Sequence, residues 1–376
     1  MDNFFKQERL ELDLFYIQNV FSSNRYFNFS ESFEQNNILY AKNTKNNSNL
    51  TSILERELHI RKIIKKVFQK YPHQKNIRFY YKLYYDFIWC DGKRDKRYYE
   101  YFRIIYQSNN GDLIYDERKL DRNSNVYQLI KESLKKIESI IKTISNMYSK
   151  KKEIVGQYDI VLPTYVSGFF IHELIGHFLE DDFFLHPLTI IDKNTKCSNI
   201  LNVYDLSLIH EDHYIYDDSG NKAHNVHLIN NGKIIAYLSN KSGNKRRQDY
   251  SFRSLTRMRT TYIAPISSKN TTDFTKEIYN GIYVEKFHGG NVNPINGDYM
   301  LTGFGFLIVN GEKSSFISKL KIEGNIIEDL LKITDIGNDL EYQGVECIKK
   351  NQIVHVGVYS PTMIIKNIKA SGVVYE

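Results

Sequence analysis

YDIVLPTYVSGFFIHELIGHFLEDD, residues 158–182, joins a strand-like start to an apolar segment of helical length. Tyr158 to Pro163 reads as a short buried strand. The segment after it carries His172, Glu173 and His177. Two imidazoles beside a carboxylate on one apolar segment match the donor set of a hydrolytic zinc site. Neutral rings hold such a metal, and the carboxylate is placed to activate a water. The competing reading is two unrelated histidines on a buried helix, and the bare pattern does not separate the two.

The spacing is HExxxH, not the commoner HExxH. Each residue of a regular helix turns about 100°, so positions i and i+5 stand about 140° apart while i and i+4 share a face. His172 and His177 therefore meet at one ion only if the helix is overwound or bulged between them. A π-type turn closes i to i+5, and such bulges collect at functional sites. Gly176, just before the second histidine, is expected to ease that distortion at a small cost in helix propensity.

A chain of 376 residues is long for one core and suggests two domains. With 41% hydrophobic and 14% aromatic residues there is ample material for packed interiors. No apolar run approaches the length that spans a bilayer. The start, MDNFFKQERLELDLFYIQNV, lacks the apolar centre of a signal peptide, so a cytoplasmic location is the expectation. Cys90, Cys197 and Cys347 are odd in number and far apart, unlike a disulfide framework. A lone cysteine is by default an inert buried side chain. The net charge of +7 is spread along the chain, whereas a nucleic-acid partner would want it concentrated on one element.

The first forty-odd residues show no firm periodicity. A helix is predicted over about 50–71, with Leu54, Leu58, Ile64 and Phe68 on one face. Residues 78–91 and 98–107, rich in aromatic and branched side chains, read as a hairpin around the loop 91–96, with a third strand at 112–117. A second amphipathic helix is predicted over 124–148, from Val126, Ile130, Leu134, Ile137, Ile141 and Ile144. The fold class expected is α+β. An N-terminal domain of 1–152 would hold a small antiparallel sheet and two long helices. A domain of 153–376 would be mostly antiparallel β and carry the metal helix. Within it, Asn-Gly pairs at 231–232 and 310–311 signal hairpins. Asn325 caps a short helix at 326–334, and a late strand pair spans 352–358 and 362–368.

Several segments together resemble the TldD/PmbA family of zinc peptidases, once described as modulators of DNA gyrase. They are HELIGHFLEDD at 172–182, DDSG at 217–220, SGNKRRQDY at 242–250, RMRTTYI at 257–263, GIYVEKFHGGNVNPINGDY at 281–299 and the stretch 344–372. The resemblance covers nearly all of 158–376. It implies a third metal ligand from a cysteine near the C-terminus, and Cys347 holds the matching position. His172, His177 and Cys347 would then leave a fourth position open on zinc, as catalytic sites require. Cys90 and Cys197 match no ligand of the family. Glu173 would be the general base. Glu180, on the face of His177, suits a partner that orients an imidazole. Asp181 and Asp182 would fall at the helix end, with Arg246, Arg247, Arg257 or Arg259 as neutralising partners. Tyr262, His288 and backbone N–H groups of Gly289, Gly290 and Asn291 are candidate oxyanion donors or substrate contacts.

The family's activity implies hydrolysis of unfolded peptides taken up as extended strands in an enclosed cleft. It also implies a homodimer or a heterodimer with a metal-free paralogue, and no membrane. Two other readings stay open: a peptidase that trims the leader of one modified peptide, and a non-catalytic assembly subunit. A DNA-associated modulator is the reading least supported by the charge distribution.

Overall fold

The computed structural model describes residues 4–375 apart from 18–19, 34–47, 69–75, 91–92, 109–110, 121–122, 147–150, 208–214, 249–251 and 267. The first sheet is antiparallel, in the order β2-β1-β3-β4-β5. Its strands are β1 (Phe4–Ile17), β2 (Val20–Phe33), β3 (Ile77–Cys90), β4 (Lys93–Gln107) and β5 (Leu113–Lys119). Period-two alternation explains the inner strands. Phe79, Tyr81 and Leu83 on β3 are buried with Phe102 and Ile104 on β4. Helices α1 (Ser48–Phe68) and α2 (Val126–Asn146) lie on this sheet, and α2 buries Ile130, Leu134, Ile137, Ile141 and Ile144. Phe304, Phe316 and Tyr375, from the second half of the chain, complete the same apolar cluster.

Two expectations change here. Residues 4–33 form two long strands, not an aperiodic segment. The alternation Leu10, Leu12, Leu14 was present but diluted by charged neighbours. The hairpin loop expected at 91–96 is tighter, because β4 already begins at Lys93. Its tip, 91–92, lies outside the described residues.

The second sheet closes on itself. Strands β6 (Lys151–Leu162), β13 (Asn280–Val292), β14 (Asp298–Val309), β15 (Glu312–Asn325) and β19 (Met363–Tyr375) follow one another around a barrel. The ladder between β15 and β19 completes the ring, and β16 (Ile333–Ile336) extends β19. The strand predicted from Tyr158 is the end of the longer β6. The third sheet is mixed, in the order β17-β18-β12-β7-β8-β9. It comprises β7 (Val203–Asp205), β8 (Val226–Asn230), β9 (Lys233–Ile234), β12 (Thr260–Ile263), β17 (Glu341–Lys349) and β18 (Gln352–Ser360). A two-stranded ribbon, β10 (Lys245–Arg246) with β11 (Leu255–Thr256), stands beside it.

Turn chemistry holds these sheets in register. Asn231-Gly232 and Asn310-Gly311 have φ of 46° and 72°, and 53° and 83°, the left-handed pairs of tight hairpins. Asn325 caps a helical turn at Ile326–Asp329, accepting from the Ile327 N–H. The late strands β18 and β19 exist, but they do not pair. Pro361 lies between them, and the chain passes from the mixed sheet into the barrel. Between these two sheets runs the segment 166–179, whose Phe170, Ile171, Leu174, Ile175, Phe178 and Leu179 are buried in the largest apolar cluster among the described residues. Among the described residues no helix is long and apolar enough to cross a membrane.

Candidate metal centre

Helix α3 (Val166–Ile171) continues into a single π turn, His172–Gly176, and then a 3₁₀ turn, His177–Leu179. The His177 N–H donates to the His172 carbonyl, the i to i+5 bond that the spacing demands. Gly176 itself keeps ordinary helical dihedrals, so it is not there to relieve strain. Its role is steric: a Cβ would lie 2.4 Å from the Met258 sulfur.

The turn brings the two rings to 4.8 Å between centroids. Cys347, on β17, places its Sγ 3.4 Å from His177 Nε2. One donor atom from each of His172, His177 and Cys347 lies within 4.8 Å of the others. Zn–N bonds of about 2.0 Å and a Zn–S bond of about 2.3 Å at tetrahedral angles put donor atoms roughly 3.3–3.6 Å apart. His172 and Cys347 are buried and His177 is half-buried.

What surrounds the rings fixes which nitrogen each presents. His172 Nδ1 lies 2.9 Å from Thr261 Oγ1, whose hydroxyl donates onward to Met258 Sδ. In the tautomer whose Nδ1–H donates to that threonine oxygen, Nε2 is the nitrogen that offers a lone pair. That Nε2 is buried and has no hydrogen-bond partner. An orphaned imidazole nitrogen facing a second imidazole and a thiol fits a zinc ion.

On the other side, Glu180 Oε2 is 3.2 Å from His177 Nδ1 and Oε1 accepts from the Met258 N–H. Lys349 Nζ, 2.5 Å from Glu180 Oε2, also reaches Asp182 Oδ1 at 2.5 Å. Burial opposes ionisation of Glu180, but His177 and Lys349 override it and hold the carboxyl at about 2. Burial likewise opposes charge on His177, yet Cys347 and Glu180 raise it well above the usual histidine range. Burial pushes the Cys347 thiol up, and the histidines bring it down to about 6. Arg257 adds to this, with Nη1 3.3 Å from the sulfur and 3.0 Å from the Cys347 carbonyl.

The expected arginine partners of Asp181 and Asp182 are not used. Glu180 is extended, so Asp181 and Asp182 begin a new turn, α4 (Asp181–Phe184), instead of ending the old one. Asp182 pairs with Lys349 and Lys350, and Asp181 lies near Lys245. Arg259 is committed to Asp205 and Arg246 lies near Asp218. Lys349 and Thr261 carried no signal of their own: each is an ordinary strand residue until the fold brings it to a histidine or its partner.

Glu173 is half-buried on the π turn, and its carboxylate has no partner among the described residues. Tyr262 is not drawn into the cluster. It alternates with Thr261 and packs on Tyr204 and Tyr359, the opposite face of β12. His288, Gly289, Gly290 and Asn291 are strand, not turn: they lie on β13, with a register shift at His288 where it pairs with β14. His288 lines a cavity described below, whereas Gly289, Gly290 and Asn291 lie outside its lining. Cys197 is buried away from the cluster, with its thiol pushed up to about 12 by burial. The Cys90 side chain lies outside the described residues.

The chain is 31% identical over 245 residues to a metalloprotease TldD homolog of Buchnera aphidicola, covering 60% of this chain and 50% of that protein. It is 29% identical over 255 residues to a zinc metalloprotease TldD homolog of Saccharolobus solfataricus, covering 63% and 57%. The chain thus spans little more than half the length of these relatives. In fold it is similar to TldE of Thermococcus kodakarensis, with a TM-score of 0.64, 15% identity, and 98% and 96% of the two chains covered. A Thermotoga maritima protein named for modulation of DNA gyrase gives a TM-score of 0.67 at 15% identity, covering 98% and 95%. Residues 155–372 match the model of the PmbA/TldA metallopeptidase C-terminal domain, and the chain belongs to that metallopeptidase family.

Proposed function

We propose that this chain is a zinc-dependent peptidase whose ligands are His172, His177 and Cys347 and whose general base is Glu173. The observation that carries the reading is the orphaned His172 Nε2, buried beside His177 and the Cys347 sulfur. His172, His177 and Cys347 would hold a zinc ion, which would supply polarisation of a carbonyl oxygen and acidification of water. Glu173 accepts the proton of the attacking water and delivers it to the leaving amine. Glu180 and Thr261 hold the two rings in the tautomers that present Nε2.

The substrate of this reading is a peptide in extended form. Strand β17, which carries Cys347, is the edge of its sheet, and an extended chain can add to such an edge by backbone hydrogen bonds. A paired subunit, either a second copy or a metal-free paralogue, belongs to the same proposal. The test is metal analysis of the purified chain beside digestion of casein and short peptides, with Cys347→Ala and Glu173→Gln alongside. The reading expects about one zinc per chain, lost in Cys347→Ala. It expects turnover that Glu173→Gln abolishes with the metal retained. Wild-type cleavage by Glu173→Gln removes Glu173 as the base, and full zinc content in Cys347→Ala removes the thiolate ligand.

A further inference from the structure

Beside the candidate centre lies a cavity of about 180 Å³. One wall is β5, another is β17 on either side of Cys347, and a third is β13 at Lys286–His288. Val166 and Phe169, the latter one helical turn before Glu173, also line it.

Lys286 is buried to 7% exposure, and its side chain lines this space. It sits between two register shifts in β13, after Val284 and after Phe287, and bulges of this kind re-aim side chains. Its ammonium lies 4.5 Å from the Tyr115 ring centroid and 5.2 Å from that of Tyr165. The Tyr115 hydroxyl donates to the Phe287 carbonyl, which pins the ring in place.

Carboxylates stand close by, but each has another cation. Glu117 is 2.5 Å from Arg103, and Glu346 accepts from Tyr101 at 2.7 Å and lies 3.7 Å from Arg103. Asp116 is taken by Arg118 and Ser133, and Glu285 by Lys136 at 2.7 Å. Among the described residues Lys286 itself has no hydrogen bond and no ion pair. Aromatic faces offset only part of the cost of a desolvated ammonium. Burial accordingly prevails over the pull of Glu117 and Asp116, lowering Lys286 to about 8. A buried cation with no carboxylate in direct contact, opening on a cavity of side-chain size, can take an anion whose charge the cavity's own carboxylates, Glu117 and Glu346, do not supply because Arg103 holds them.

We propose that Lys286 anchors a carboxylate of the bound peptide, either its C-terminal carboxylate or an acidic side chain next to the cleavage point. The proposal rests on the peptidase reading and narrows its substrate to peptides with a carboxylate near the scissile bond. Lys286 is a specificity residue here and takes no part in bond breaking.

The test is calorimetric binding to the metal-loaded full chain carrying Glu173→Gln, so that no turnover intervenes. The probes are an acetylated tripeptide with a free C-terminus, its C-terminal amide, and the amide carrying one glutamate. The free acid or the glutamate amide is expected to bind on the order of 10- to 100-fold more tightly than the neutral amide. Whichever does so identifies the source of the carboxylate. Adding Lys286→Met should erase that preference and leave the neutral amide unchanged, while Lys286→Arg should keep most of it. The melting temperature separates anchoring from a structural role. Removing a desolvated charge should leave the ligand-free protein as stable or more so. Equal binding of all three probes, or a preference that survives Lys286→Met, overturns the proposal. So does a fall in melting temperature with equal loss for all probes. Failure of the peptidase reading looks different: the unmutated chain cleaves nothing, and the binding preference still holds.

Discussion

Glu173 and Glu180 stand on one segment, on either side of His177, and their surroundings could hardly differ more. Glu180 is wholly buried, and His177, Lys349 and the Met258 N–H take up its oxygens. Glu173 is half-buried and has no partner among the described residues. The fold has committed one carboxylate to holding a ring still. It has left the other chemically idle, as a group that must exchange a proton with substrate needs to be. The two carboxylates should therefore fail in different ways when they are altered.

The largest effect expected is on the idle one. Glu173→Gln should lower peptide hydrolysis by about 10²- to 10⁴-fold with zinc content unchanged, read from a cleavage assay beside metal analysis. Loss of metal in this variant would break the contrast, because it would make Glu173 a ligand or a support. Glu180→Gln should do the reverse. Zinc affinity should fall by about 10- to 100-fold, measured by competition with a chelator, while activity at saturating zinc recovers most of its value. The amide also turns an N–H₂ towards Lys349, so the variant should melt at a lower temperature.

The same contrast has a pH signature in the metal-free chain. Glu180 is held at about 2 against an ordinary 4.5, so its stabilisation is complete above 4.5 and disappears as pH falls through about 2. His177 is raised above its ordinary 6.5, so its stabilisation is complete below 6.5 and disappears as pH rises through the raised value. The melting temperature should therefore fall as pH drops from 4.5 towards 2, and Glu180→Gln should flatten that acid side of the curve. An unchanged acid limb in that variant would mean another carboxylate sets it.

The metal turn was legible because HExxxH is incompatible with a regular helix unless a π turn intervenes, and the His172–Gly176 turn is that turn. The Asn-Gly hairpins and the Asn325 cap were legible for the same reason: short-range geometry leaves few choices. What surrounds the histidines was not legible. Lys349, Thr261 and Arg257 meet the site only because β12 runs parallel to β18, a pairing between segments almost a hundred residues apart that no local pattern announces. The partners of Asp181 and Asp182 were misread because a helix end was assumed where the chain instead turns at Glu180 and starts again. The barrel closure between β15 and β19 was hidden likewise, since two alternating strands do not say which edges they share.

The smallest expected effect tests the side of the site away from Glu180. Thr261→Val keeps the shape of the side chain and removes the hydroxyl that His172 Nδ1 meets at 2.9 Å. The buried Nδ1–H is then left without an acceptor, at a cost of about 1–3 kcal/mol, and the ring is free to present the wrong nitrogen. Zinc affinity should fall by about tenfold, the low end of what an outer partner contributes, with activity at saturating zinc nearly intact. Thr261→Ser, which restores the hydroxyl, should recover the affinity. If Thr261→Val instead costs as much as Glu180→Gln, the two rings are supported equally. The buried charge of Glu180 would then be no more important to the metal than a single neutral hydrogen bond.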